Sequence, residues 1–126
     1  MRQTDGVQLR CVIVDDDVEF LKVAKALLER DGMIVAAVAH NSAEAVRCVQ
    51  AQRPDIVLID IRLGKESGFD AARLLAGDGQ SASLVMISTH AGADYAELIA
   101  ESPATGFLPK AELSVAAIQR VLSSGG

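Results

Sequence analysis

The chain has 126 residues, half of them hydrophobic but only 3% aromatic, which implies one domain with a core of Val, Ile, Leu and Ala. Its 12 basic residues stand against 17 acidic ones, a net of −5, and nothing resembles the basic stripe of a nucleic-acid binder. Met1–Gln8 is polar and no apolar run nears the roughly 20 residues that span a bilayer, so neither a signal peptide nor a membrane helix is expected.

In chain order, residues 1–9 read as a loose arm, and a first strand starts near Arg10. Cys11-Val12-Ile13-Val14 is an apolar run that ends on Asp15-Asp16-Asp17. Asp17 suits the cap of a helix whose apolar positions Phe20, Leu21, Ala24, Leu27 and Leu28 recur at helical spacing, and Asp31-Gly32 suits its stop. Met33–Ala39 reads as a second strand. His40-Asn41-Ser42 is then a turn, with Ser42 as the cap of a helix that carries Ala45, Val46 and Val49 inward and stops before Pro54.

Ile56-Val57-Leu58-Ile59-Asp60 is the pattern of a strand buried on both faces, closed by a carboxylate. A loop with Gly64 and Gly68 leads into a helix over Phe69–Ala76, closed by Gly77-Asp78-Gly79. Leu84-Val85-Met86-Ile87 is a fourth buried strand ending on Ser88-Thr89-His90. A thinly apolar helix over Ala93–Glu101, a turn at Pro103–Gly106, a short strand at Phe107-Leu108 and a helix over Glu112–Leu122 complete the chain. Cys11 and Cys48 lie inside apolar patterns without metal-ligand spacing, which suits small buried hydrophobes in a reducing, cytosolic compartment.

Strands and helices thus alternate five times, the rhythm of a doubly wound parallel sheet with right-handed crossovers. Four of the five strands deliver polar residues at one edge: Asp15-Asp16, Asp60, Ser88, and Lys110 just past Leu108-Pro109. Open α/β sheets bind their ligands at that carboxyl edge. The acids together make a site for a hard cation, because crowded carboxylates repel and Mg²⁺ prefers oxygen ligands.

In order and spacing, Val12-Ile13-Val14-Asp15-Asp16, Leu58-Ile59-Asp60, Gly68, Val85-Met86-Ile87-Ser88 and Gly106-Phe107-Leu108-Pro109-Lys110 resemble the receiver domain of two-component response regulators. The resemblance covers residues 10–122, leaving 1–9 as an arm and 123–126 as a tail. It implies a flavodoxin-like five-stranded parallel sheet of order 2-1-3-4-5 with five flanking helices. It also implies that Asp60 accepts a phosphoryl group from a phosphohistidine on a histidine kinase or phosphotransfer protein. Mg²⁺ would be held by Asp16 and Asp60 directly, by Asp15 largely through water, and by the backbone carbonyl of Arg62. Ser88 and Lys110 would contact the phosphoryl oxygens. Ser88 and Phe107 would form the switch, Ser88 moving toward the phosphorylated Asp60 and Phe107 turning into the space it leaves.

In the family, the positions of Arg62 and His90 tune the lifetime of the acyl phosphate; the plainer alternative is that both are exposed polar side chains. Gly64 stands where the family often has proline, which implies a more mobile loop. Ala111 follows Lys110 where many receivers have proline, which puts their cis bond in doubt. The expected molecule is a cytoplasmic signalling domain rather than a turnover enzyme. A homodimer, an output domain or another partner would meet its last helices, with no direct contact to nucleic acid or membrane. Two rivals stand beside it. One is an aspartyl-phosphate phosphatase, although such enzymes usually carry a second Asp where this chain has Arg62. The other is a receiver-like interaction module that works without phosphorylation.

Overall fold

The computed structural model describes residues 8–90 and 92–125. Strands β1 (Arg10–Val14), β2 (Ile34–Ala39), β3 (Ile56–Asp60), β4 (Ser83–Ser88) and β5 (Gly106–Pro109) alternate with helices α1 (Val18–Arg30), α2 (Ser42–Gln52), α3 (Gly68–Gly77), α4 (Ala96–Glu101) and α5 (Val115–Gly125). The strands form one parallel sheet in the order β2-β1-β3-β4-β5, the flavodoxin-like arrangement expected from the sequence.

Alternation within the strands assigns each side chain to a layer. Cys11, Ile13, Ile56, Leu58, Val85 and Ile87 face Leu21, Ala24 and Leu28 of α1 and Ala117 and Ile118 of α5. Val12, Val14, Val57, Ile59, Leu84 and Met86 face Ala45 and Val49 of α2 and Phe69, Ala72 and Leu75 of α3. Both faces of β3 are therefore dry, which is why Ile56–Asp60 is an unbroken apolar run up to its terminal acid.

Local signals explain most element ends. Asp17 caps α1 by accepting from the amides of Glu19 and Phe20, and Gly32 takes the left-handed conformation (φ 95°) that stops it. The cap of α2 is Asn41, not Ser42: Asn41 Oδ1 accepts from the Glu44 amide at 2.9 Å, while Ser42 is already helical. Both residue types cap well, and the extended backbone of Asn41 decides between them. Ser67 caps α3, and Gly68 continues directly from it.

Three expectations are corrected in the second half. Helix α4 has only six residues and is preceded by a 3₁₀ turn over Gly92–Tyr95, because Tyr95 offers no side-chain cap and no residue of α4 is buried. The last helix, expected from Glu112, starts only at Val115: Glu112 closes a 3₁₀ turn over Lys110–Glu112, and the start of α5 is held by Ser114 Oγ accepting from the Ala117 amide at 2.9 Å. Helix α5 then runs on through Ser123 and Ser124, so the expected tail is helical up to Gly125.

At the other end, residues 1–7 of the expected arm lie outside the described residues. Leu9 packs on the α1/α5 core, and its carbonyl accepts from the Ile34 amide at 2.9 Å. Among the described residues no helix is long and apolar enough to cross a membrane.

Candidate functional site

Three strand ends meet at the carboxyl edge. The Asp15 amide donates to the Ala39 carbonyl at 2.9 Å, extending the β1 ladder by one residue and holding Asp15 fully buried. Asp60 ends β3 at 8% exposure, and Asp16 is exposed beside them. One carboxylate oxygen from each of these acids lies within 4.8 Å of the others. Lys110, arriving from the end of β5, places its ammonium 2.7 Å from Asp15 Oδ2 and 3.2 Å from Asp60 Oδ2.

Backbone amides fix the remaining carboxylate oxygens. The Asp17 amide donates to Asp15 Oδ1 at 2.9 Å, and the Arg62 amide donates to Asp60 Oδ1 at 3.2 Å. Gly68 is required by packing: a Cβ there would collide with the carbonyl oxygen of Asp60, while the Gly68 amide donates to the Ile61 carbonyl at 2.7 Å. The segment after Asp60 carries regular pairing of its own. Arg62 pairs with Ser67 and Leu63 with Glu66 in a two-rung antiparallel hairpin, and Gly64 turns it at φ 62°. A side chain at Gly64 would also crowd Asp16 Oδ2 at 3.3 Å.

The electrostatics follow from burial and crowding. Burial first, and then the neighbouring Asp15 charge, push the Asp60 carboxyl up to about 6, although Lys110 and the Arg62 amide pull the other way. Burial works against the Lys110 charge, but Asp15 and Asp60 outweigh it and raise the ammonium above its ordinary value. Three carboxylates cluster here and the Lys110 ammonium pairs with two of them, so the edge keeps an excess of negative charge. Asp15 Oδ2 is paired with the Lys110 ammonium and Asp15 Oδ1 with the Asp17 amide. An oxygen-only donor set of three carboxylates with excess negative charge fits a hard divalent cation such as Mg²⁺.

The other expected residues are placed as follows. Ser88 is buried at the end of β4, and its Oγ accepts from the His90 amide at 3.0 Å, a local bond rather than one to Asp60. His90 is exposed, with its ring edge-on to Tyr95 at 6.5 Å. Phe107 is half-buried on the α2/α3 face. Arg62 has an exposed side chain, and it is its amide that touches Asp60. Among the described residues no peptide bond is cis.

Two contacts were not expected. Phe20, read from its spacing as a core residue, lies under the Lys110 ammonium with its ring centroid 4.3 Å away. Its place one turn after the acidic run, on the helix that the run caps, is the signal that could have found it. Glu66 accepts from the amide and hydroxyl of Ser42 at 2.9 and 2.7 Å, tying the hairpin to the start of α2, and these bonds hold its carboxyl below the usual range. No local pattern marks that pair.

Comparison with known proteins agrees with this arrangement. The family description "Response regulator receiver domain" matches residues 11–121. A protein-glutamate methylesterase/protein-glutamine glutaminase of Pyrococcus abyssi is 32% identical over 93% of this chain, which spans 32% of that relative's length. The transcriptional regulatory protein LnrK of Bacillus subtilis is 30% identical over 90% of the chain, which spans 54% of it. The chain thus covers between a third and about half of these relatives.

Among solved structures, a LuxR-family two-component response regulator from Aurantimonas sp. SI85-9A1 superposes with a TM-score of 0.83 at 30% identity, covering 94% of this chain and 87% of that one. A response regulator protein from Burkholderia pseudomallei, solved with a phosphorylated aspartic acid and a calcium ion, gives 0.77 at 25% identity over 91% of this chain and 66% of that one. With its sheet order, acidic edge and family match in agreement, this chain belongs to the response regulator receiver domains of two-component signalling.

Proposed function

We propose that this domain is switched by phosphorylation of Asp60, taking its phosphoryl group from a phosphohistidine on a histidine kinase or phosphotransfer protein. The observation that carries the reading is the meeting of Asp15, Asp16 and Asp60 within 4.8 Å, with the Lys110 ammonium bridging two of them. The Burkholderia response regulator, similar in fold and solved with a phosphorylated aspartic acid and a calcium ion, supports the reading.

Asp15, Asp16, Asp60 and the backbone carbonyl of Arg62 would hold Mg²⁺, which when bound would neutralise charge on the transferring phosphoryl oxygens. The remaining work belongs to the chain. A carboxylate oxygen of Asp60 attacks phosphorus, an O–P bond forms, and the N–P bond of the phosphohistidine breaks with its electron pair returning to the imidazole. The Arg62 amide at Asp60 Oδ1 holds the carboxylate in one orientation, so the other oxygen carries the attack. Lys110 supplies a compact positive charge beside that oxygen.

Ser88 leaves its local bond to the His90 amide and turns its hydroxyl to a phosphoryl oxygen. Phe107, half-buried on the neighbouring strand, moves into the space that Ser88 vacates. This local change of charge and packing reshapes the surface of the last helices, where a second copy, an output domain or another partner binds. Exposed at the rim, Arg62 and His90 meet the water that would hydrolyse the acyl phosphate and so set its lifetime. The free cysteines Cys11 and Cys48 agree with work in a reducing cytoplasm. The matched domain acts as a signalling switch, and the methylesterase relative extends well beyond the part that this chain matches.

The test is intact-mass measurement after incubation with acetyl phosphate and Mg²⁺. The wild-type chain gains one phosphoryl group, whereas Asp60→Asn and the chelated wild type gain none. Uptake by Asp60→Asn equal to wild type, or none by wild type, contradicts the assignment.

A further inference from the structure

We propose that Phe20 is a positioning residue for phosphoryl transfer, the face of its ring holding the Lys110 ammonium between Asp15 and Asp60. This inference rests on Asp60 being the phosphoacceptor. Three neighbours define the position of one atom: Lys110 Nζ lies 2.7 Å from Asp15 Oδ2, 3.2 Å from Asp60 Oδ2 and 4.3 Å from the Phe20 ring centroid. The negative face of an aromatic ring attracts an ammonium, and more strongly where water is excluded. The Lys110 side chain is only 11% exposed, which meets that condition.

Lysine needs such a holder more than most side chains, because its four-carbon stem leaves the charge free to wander. The carboxylates alone could draw the ammonium deep toward Asp15, the closer and fully buried partner. A ring on the α1 side gives it a third point of support, so that it stays within reach of the phosphoryl oxygens arriving on Asp60. Phe20 is itself held in place. Its amide donates to Asp17 Oδ1 at 3.2 Å, the Asp17 amide donates to Asp15 Oδ1, and the next residue, Leu21, is anchored in the core. One short stretch, residues 15–21, thereby supplies two acids, the helix cap and the aromatic support.

A merely space-filling Phe20 would be replaceable by any side chain of similar bulk, whereas a cation–π role depends on the electron density of the ring face. The decisive experiment replaces Phe20 in the intact chain with mono-, di- and trifluorinated phenylalanine, and separately makes Phe20→Tyr and Phe20→Leu. The rate of phosphoryl uptake from acetyl phosphate with Mg²⁺ is followed by intact mass, beside the unfolding midpoint of each variant. Uptake is expected to slow stepwise with fluorination at an unchanged midpoint, to fall on the order of 2- to 30-fold in Phe20→Leu, and to be kept by Phe20→Tyr.

A second readout needs no phosphate: the Lys110 ε-methylene protons resonate upfield under the ring and return downfield in Phe20→Leu. Uptake that ignores fluorination, or Lys110 protons unmoved in Phe20→Leu, overturns the proposal. A wild-type chain that takes up no phosphoryl group contradicts the role of Asp60 and with it the role of Phe20, and the Lys110 shift then persists as a contact without that use.

Discussion

The two helices beside the acidic edge are built to different standards. Helix α1 has 13 residues, a cap that accepts two amides, and Leu21, Ala24 and Leu28 locked in the core. Helix α4 has six residues, no side-chain cap and no buried residue, and it packs on the core through half-buried Ile99. Resistance to local opening follows buried apolar contact and satisfied ends. The acids and the aromatic support of Lys110 thus stand on the firm flank, and Ser88 leads into the weak one. A switch needs this asymmetry: charge must change at a fixed point and be read by an element that is cheap to rearrange.

The largest expected effect comes from removing the ammonium that bridges Asp15 and Asp60. Lys110→Met leaves buried Asp15 without its counter-ion, and should cost about 3–5 kcal/mol in a chelating buffer, with Mg²⁺ restoring much of the loss. Urea unfolding with and without the cation checks this, and an unchanged midpoint in chelator would show that Lys110 bears no such load.

Next is the asymmetry itself. Leu28→Ala in α1 should cost about 2–5 kcal/mol, while Leu98→Ala, half-exposed on α4, should stay within about 0.5 kcal/mol. Equal losses on chemical unfolding would erase the contrast.

The pH dependence of the edge is expected to be slightly smaller. The Asp60 carboxyl is raised from 3.8 to about 6 in the fold, so the folded state holds this proton more tightly than the unfolded chain. That contribution is fully present below the unfolded value and is lost as pH rises through about 6. Without Mg²⁺, Asp60→Asn should therefore gain on the wild type as pH is raised across this window. Parallel unfolding curves for the two at every pH would contradict the raised value. Because Mg²⁺ competes with that proton, its affinity should also weaken below about pH 6. The smallest effect is Asp17→Ala, which should cost about 1 kcal/mol in the same unfolding measurement through loss of the α1 cap.

How far the sequence reveals all this depends on how local each signal is. Strand β3 was readable to the residue, because a strand dry on both faces leaves an unbroken apolar run and its acid stands out. The acids, Ser88 and Lys110 are readable as residues at or just past strand ends, and the meeting of the acids with Lys110 follows from the parallel topology. Where two residue types compete for one job, the sequence leaves the choice to geometry, as with Asn41 and Ser42 at the start of α2. In the region after β4, helical spacing could not reveal that α4 starts only at Ala96, because uncapped, weakly apolar turns relax into 3₁₀ geometry. The hairpin after Asp60 was hidden because its stability comes from Leu63 in the core and Glu66 on Ser42, both contacts across the fold. The same holds for Phe20: spacing shows that it faces inward, and only the fold shows that Lys110 is what it meets.

The central claim is that charge placed on Asp60 is read by the weak flank and not by the firm one. Amide spectra recorded before and after adding beryllofluoride with Mg²⁺ test it most directly, since that adduct stands in for the phosphoryl group. Shifts at Ser88, His90 and through residues 92–110, with Leu21–Leu28 of α1 nearly still, are the predicted result. Unmoved signals across 92–110, or changes spread equally over α1, would contradict it.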